Sequence, residues 1–145
     1  MTPKYRRIVT GHNAEGKAKV LIDDLVPNVS SGRPGHGSHV IWTSTDLPVK
    51  FVEDGEDLGA RDIGTTIENG SVFRIVEYAP GVSPRNHRTE SIDYAVVMSG
   101  EIDMGLDDGE QVHLKAGDVL VQRGTIHNWV NKGTEPCVIA FILIS

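Results

Sequence analysis

The sequence has little cysteine, few aromatic residues and no long hydrophobic run. Cys137 is the single cysteine among 145 residues, so no disulfide can form within the chain, and this usage is typical of a reducing compartment. No apolar run approaches the ~20 residues that span a bilayer, and the first residues are not followed by the apolar core of a signal peptide. The sequence therefore predicts a cytoplasmic protein that has no membrane partner.

Basic residues are also scarce relative to acidic ones. The chain has 14 Lys and Arg against 20 Asp and Glu, a formal net charge of -6, and the basic residues are scattered along it. Proteins that bind nucleic acid typically gather basic residues into one patch or stripe, so we expect no nucleic-acid partner. The hydrophobic fraction of 39% and the length are typical of one globular domain.

What the sequence does have is a series of short segments rich in Val, Ile, Tyr and Phe, separated by Gly, Asp, Asn and Pro. This pattern predicts an all-β protein. Residues 1–70 are expected to form an N-terminal arm and edge strands, with a flexible stretch at Ser30–Gly37, and residues 71–145 the core of a barrel. The predicted strands are Ala18–Ile22, His39–Thr43, Ser71–Tyr78, Tyr94–Ser99, Glu101–Leu106, Gln111–Leu114, Val119–Gln122, His127–Asn131 and Cys137–Ile144.

Every residue of the last predicted strand, Cys137–Ile144, is apolar, so both of its faces are apolar. A strand covered on one side only should alternate apolar and polar residues. Two explanations are open: its second face is covered by the N-terminal arm or another subunit, or the strand lies inside a double sheet formed by its own chain. The first explanation predicts a homodimer that also uses Ala18–Ile22.

Three residues form a candidate metal site. His87 follows the Pro80-Gly81 turn, Asp93 lies six residues later at the same parity, and His127 begins another predicted strand. If the segments are neighbours with these side chains inward, two imidazoles and one carboxylate meet inside a barrel. Such a set holds a divalent transition metal and leaves positions open for water, dioxygen or substrate.

The same residues carry a family resemblance. The segment from Gly81 through His87 to Thr89, with Asp93 and then Gly100, resembles the first cupin motif, and Gly117-Asp118 with Gly124 to His127 resembles the second. The resemblance covers about the C-terminal half of the chain. It implies a small single-domain cupin, whose fold is a double-stranded antiparallel β-barrel of jelly-roll type.

The first motif departs from the family pattern at two of its ligand positions. Thr89 stands where the family has its second histidine, and Asp93 stands where it has glutamate. The resemblance implies that His87, Asp93 and His127 bind Fe, Mn, Zn or Ni, in an enzyme of lyase, dehydratase, decarboxylase or dioxygenase type acting on a small oxygenated organic molecule. The alternative is a non-catalytic or metal-free cupin that binds a small ligand.

Other residues are expected near this site, although the sequence assigns none of them a catalytic role. Trp129 shares the parity of His127 and is either a wall of the substrate pocket or a core residue, and Thr89 is expected to leave its ligand position open for water or a second substrate oxygen. Gln122 and Arg123 are expected at the barrel rim, where they would bind a substrate carboxylate or carbonyl. His36 and His39 are read as loop histidines and Cys137 as an inert buried thiol.

Overall fold

A computed structural model describes residues 2–51 and 56–145 of the chain. Within these residues there are eleven β-strands and one 3₁₀ turn at Asp107–Gly109. None of the described residues forms a helix long and apolar enough to cross a membrane. The strands are β1 Arg6–His12, β2 Ala18–Leu25, β3 Asn28–Arg33, β4 His36–Ser44, β5 Ser71–Tyr78, β6 Ile92–Ser99, β7 Glu101–Gly105, β8 Gln111–Lys115, β9 Val119–Arg123, β10 Asn128–Val130 and β11 Cys137–Ile144.

The strands form three antiparallel sheets. The largest has the order β3-β4-β5-β11-β6-β9, and a three-stranded sheet has the order β10-β7-β8. β1 and β2 pair only with each other as a hairpin. The predicted all-β fold is therefore confirmed, and β5 and β11 have the bounds that the sequence indicates.

The hydrophobic core lies between the six-stranded and three-stranded sheets, because side chains of alternate parity point inward from each strand. From β11, Cys137, Ile139, Phe141 and Leu143 are buried in this core. The opposite face of β11 is only partly covered, and Ile142 is 38% exposed. The described part of the chain thus does not bury both faces of β11.

The N-terminal segment covers a different part of the large sheet, the outer side of β4 and β5. The Tyr5 ring packs edge-on against His39, with 4.7 Å between ring centroids, and its hydroxyl donates to Glu77. The buried Arg7 donates to the Ile41 carbonyl and forms ion pairs with Asp24 and Asp57. These contacts fasten the β1–β2 hairpin to the sheet.

Three expectations for the first half of the chain are wrong. β1 and β3 are strands that the sequence did not indicate, and the stretch predicted to be flexible is the hairpin of β3 and β4. His36 and His39, read as loop histidines, are therefore strand residues of β4, as the predicted strand His39–Thr43 already implied for His39, and His39 is fully buried. The physical reason is that pairing through backbone hydrogen bonds does not require the apolar alternation on which the prediction relied.

Candidate functional site

His87 and His127 are brought together by a backbone bridge between their segments. The His87 N–H donates to the His127 carbonyl and the His127 N–H to the His87 carbonyl, both at 3.0 Å. Residues paired in this way project side chains to the same side. The two imidazole rings consequently lie with their centroids 4.3 Å apart.

Both imidazoles are oriented by their Nδ1 atoms. The Nδ1 of His87 lies 3.1 Å from the Arg85 carbonyl oxygen, and that of His127 lies 2.9 Å from the Thr125 carbonyl oxygen. Because a carbonyl only accepts, Nδ1 carries the hydrogen in each neutral ring and Nε2 keeps its lone pair. Burial lowers the pKa of His127, which favours this neutral form.

Asp93 projects inward from β6 and is buried. The Ser91 hydroxyl donates to Asp93 Oδ1 at 2.5 Å, and the Thr89 hydroxyl lies 2.8 Å from the Ser91 oxygen. Since Ser91 gives its one hydrogen to Asp93, Thr89 donates to Ser91, and the three residues form a chain of hydrogen bonds. Burial raises the pKa of the Asp93 carboxyl.

His87, Asp93 and His127 line one cavity of about 120 Å³, and Thr89 and Trp129 line it too. Trp129 is nearly fully buried, with its ring 5.7 Å from that of His127 and 6.0 Å from that of Phe141. It is thus a core residue and a cavity wall at once. The volume equals on the order of four water molecules, which suits a small ligand.

The donors in this cavity fit a first-row divalent metal in kind. Imidazole nitrogen and carboxylate oxygen are ordinary ligands of such metals, and a ligating histidine typically donates its other nitrogen to a carbonyl, as both rings do here. The spacing of these donors fits a metal less well than their chemistry does. Across residues 2–51 and 56–145, no three His, Cys, Asp or Glu side chains lie close enough together to hold a metal ion.

Comparison with known proteins identifies the fold. The family model described as Cupin domain matches residues 74–144. The cupin-domain-containing oxidoreductase fogC of Aspergillus ruber is 35% identical over 144 residues, covering 95% of this chain and 71% of the relative. The chain belongs to the cupin family.

Two further proteins resemble this cupin. The phomopsin biosynthesis cluster protein C' of Diaporthe leptostromiformis is 41% identical over 134 residues, covering 87% of this chain and 70% of the relative. The solved structure of KdgF from Halomonas sp. superposes with a TM-score of 0.56 at 18% identity, covering 81% of this chain and 86% of KdgF. At that identity the structural likeness concerns the fold alone.

Gln122 and Arg123 do not line the cavity. Gln122 is buried opposite Asp93, and its amide nitrogen lies 3.7 Å from the Met104 sulfur. Arg123 pairs with Ile92 at the end of β9 and is exposed on the outer side of the sheet. Strand alternation sends Gln122 into the core and Arg123 outward, so neither contributes to the cavity wall, and their role in substrate binding stays a prediction.

Four basic residues of the cavity were not placed there from the sequence: Arg33, His36, Arg74 and Arg85. Arg74 had a detectable signal, since it interrupts the inward-facing series of Val72, Val76 and Tyr78 on β5. No such signal exists for Arg33 and His36, because they lie in a hairpin whose Gly and Pro residues are typical of a flexible loop.

Cys137 lies outside the cavity and is fully buried in the core. Burial raises the pKa of its thiol to about 11, so the thiol stays protonated at neutral pH. A protonated, inaccessible thiol is a poor nucleophile, which agrees with the inert role expected from the sequence.

Proposed function

We propose that this cupin is an enzyme that acts on a small oxygenated organic molecule and depends on a divalent transition metal, Fe, Mn, Zn or Ni. His87 and His127 would bind the metal through Nε2, and Asp93 would be the third ligand. The observation that carries the proposal is the pair of imidazoles whose Nδ1 atoms are held by backbone carbonyls, leaving two Nε2 lone pairs directed away from the backbone.

A bound metal would supply Lewis acidity toward a substrate oxygen. The chain's own residues do the rest: Trp129 and Phe141 form an apolar wall, and their burial excludes water from one side of the cavity. Ser91 and Thr89 hold Asp93 in place by hydrogen bonds. The similarity to fogC, a cupin-domain-containing oxidoreductase, favours oxidoreductase chemistry over the lyase, dehydratase and decarboxylase alternatives.

The test is metal uptake by protein purified without a histidine tag, stripped with a chelator and titrated with each metal. We expect one equivalent per chain, and we expect His87→Ala to abolish binding. His113→Ala is the matched control, because His113 is exposed on β8 and does not line the cavity. Full metal content in His87→Ala would eliminate His87 as a ligand and contradict the proposal.

The second candidate is a metal-free cupin that binds a small ligand without catalysis. One observation favours it: Asp93 Oδ1 already accepts a hydrogen bond from Ser91, at a site where Thr89 replaces the family's second histidine. The same titration separates the candidates, because this one predicts no stoichiometric metal uptake by the wild-type chain.

We further propose that the protein is a homodimer, with a second copy covering the outer face of β11, β6 and β9. In register across that face lie Ile142, Tyr94 and Val121, followed by the pair Val96 and Val119. Val119 is 74% exposed and Val121 58%. The chain carries a net charge of -6, so copies meet most easily at a surface poor in acidic residues, and this face presents apolar side chains with Arg123 at the end of β9.

A further inference from the structure

The cavity is basic although the chain is acidic. Three arginines, Arg33, Arg74 and Arg85, line it together with the histidines, and Asp93 is the one acidic residue among the lining side chains of the described part of the chain. The whole chain has a formal net charge of -6. A positive cavity in a negative protein raises the local concentration of small anions.

The three arginines have no acidic partner among the residues that the structure describes. Arg33 donates to the Ser83 carbonyl, and Arg74 donates to the carbonyls of Gly64 at 2.7 Å and Thr65 at 3.1 Å. Arg6 and Arg7 at the β1–β2 hairpin, by contrast, each form a bidentate pair with an aspartate. The guanidinium charges that line the cavity are therefore not neutralised by a described carboxylate.

Two buried nitrogen atoms of the cavity residues also lack a hydrogen-bond partner: Nε of Arg74 and Nδ1 of His36. A buried polar group without a partner costs free energy, the more so on a charged side chain. Burial lowers the pKa of Arg74, and burial followed by the charges of Arg33, Arg74 and Arg85 lowers that of His36, so these groups share one positive electrostatic environment. An anion in the cavity would be attracted by several of these charges at once.

We propose that the ligand of this cavity is a small organic anion, a carboxylate or a phosphate ester, whose acidic group binds the guanidinium groups of Arg33, Arg74 and Arg85 while its apolar part contacts Trp129 and Phe141. This inference rests on the proposed small-molecule function of the same cavity and names the class of substrate. Guanidinium recognises both anions by paired hydrogen bonds, which is why the two share one chemistry.

The test is calorimetric titration of chelator-stripped protein with benzoate, phenyl phosphate and the neutral benzamide. We expect at least one anion to bind about tenfold more tightly than benzamide, with an affinity that falls as salt is added. The ratio of the two anions distinguishes a carboxylate site from a phosphate site. The protein in this experiment has been stripped of metal with a chelator. A negative outcome of the metal titration therefore leaves the measured anion affinities valid.

Variants locate the site. Arg85→Gln is the first choice, because Arg85 is exposed and lines the cavity without a hydrogen bond recorded for its side chain. We expect it to weaken anion binding about tenfold and to leave benzamide unchanged. Arg88→Gln is the matched control, an exposed arginine three residues along that does not line the cavity. Anion affinity no better than that of benzamide, or equal losses in Arg85→Gln and Arg88→Gln, would overturn the proposal.

Discussion

His39 is a fully buried histidine on the outer side of β4. Its Nε2 lies 3.2 Å from Glu77 Oε1, which also accepts from Tyr5, while its Nδ1 has no hydrogen-bond partner. Protonation would place a second N–H donor at Nδ1, in a buried position without an acceptor. Burial therefore lowers the pKa of His39 even though Glu77, opposed by Lys4, acts to raise it.

The lowered pKa has a direct consequence for stability. In the unfolded chain the pKa of this histidine is about 6.5. Below that pH the unfolded chain binds a proton that the folded chain does not bind, so the free energy of unfolding falls as the pH falls. We expect His39→Gln to lose less stability than the wild type between about pH 7.5 and about pH 5.5. Urea unfolding at the two pH values measures this difference.

His113→Gln provides a control of opposite sign. Hydrogen bonds to Glu101 and Asp103 raise the pKa of His113, so this residue stabilises the fold below the unfolded pKa and the contribution is lost as the pH rises. Its removal should enlarge the loss on acidification. Identical pH dependence in wild type, His39→Gln and His113→Gln would show that neither histidine titrates as its surroundings require.

At the residue scale, the sequence predicted residues that line one cavity, but neither how far apart they lie nor everything that surrounds them. His87, Asp93 and His127 reach one cavity because strand parity and the backbone bridge determine where they point. Whether they bind metal stays a prediction. Arg33 and His36 could not be placed, since their approach to the cavity depends on a hairpin of polar residues whose pairing is set by distant strands.

At the scale of elements, the glycine turns show how tightly the strands are connected. Gly100 joins β6 to β7 at a positive φ of 75°, and a Cβ added there would lie 2.4 Å from the Pro136 carbonyl oxygen. Gly109 has nearly the same φ, 76°, but a Cβ there would meet nothing within 4 Å. The two glycines have nearly the same φ, but they differ in the room available for a Cβ atom.

Alanine substitutions separate these two effects. Gly109→Ala should cost about 1 to 2 kcal/mol, the cost of a left-handed conformation for a residue with a Cβ. Gly100→Ala should cost about 3 kcal/mol, because the Pro136 carbonyl must also move. Urea unfolding of both variants measures the difference. Equal costs would show that the β6–β7 turn relaxes without strain.

The strands that the sequence predicted well show either apolar alternation or an apolar run, and they are separated by turns that contain glycine. β5 and β11 are strands over the predicted residues, because their apolar residues bury in the core and the paired backbone follows. β10 is shorter than predicted, and His127 lies outside it in the bridge to His87. β1 and β3 were missed, since neither alternates apolar and polar residues: most of their side chains are exposed or half-buried, and the buried residue of β1 is the charged Arg7.

At the scale of the whole molecule, charge and apolar surface are segregated. The arginines of the cavity face inward, whereas the outer side of β11, β6 and β9 presents Ile142, Tyr94, Val96, Val119 and Val121. A monomer rarely leaves so continuous an apolar face in water. The β1–β2 hairpin also exposes Ile8 and Val20, in line with the expected contribution of the N-terminal half to the dimer.

Light scattering tests the proposed dimer. At micromolar concentration we expect a mass twice the 15.8 kDa of one chain. Val121→Glu should reduce it to one chain, because each copy would bury a carboxylate within an apolar contact, at a cost of several kcal/mol. Val49→Glu is the control, since Val49 is a similarly exposed valine that lies outside the strands. A wild-type mass of 15.8 kDa would rule out the dimer. Equal dissociation by both substitutions would place the contact on another surface.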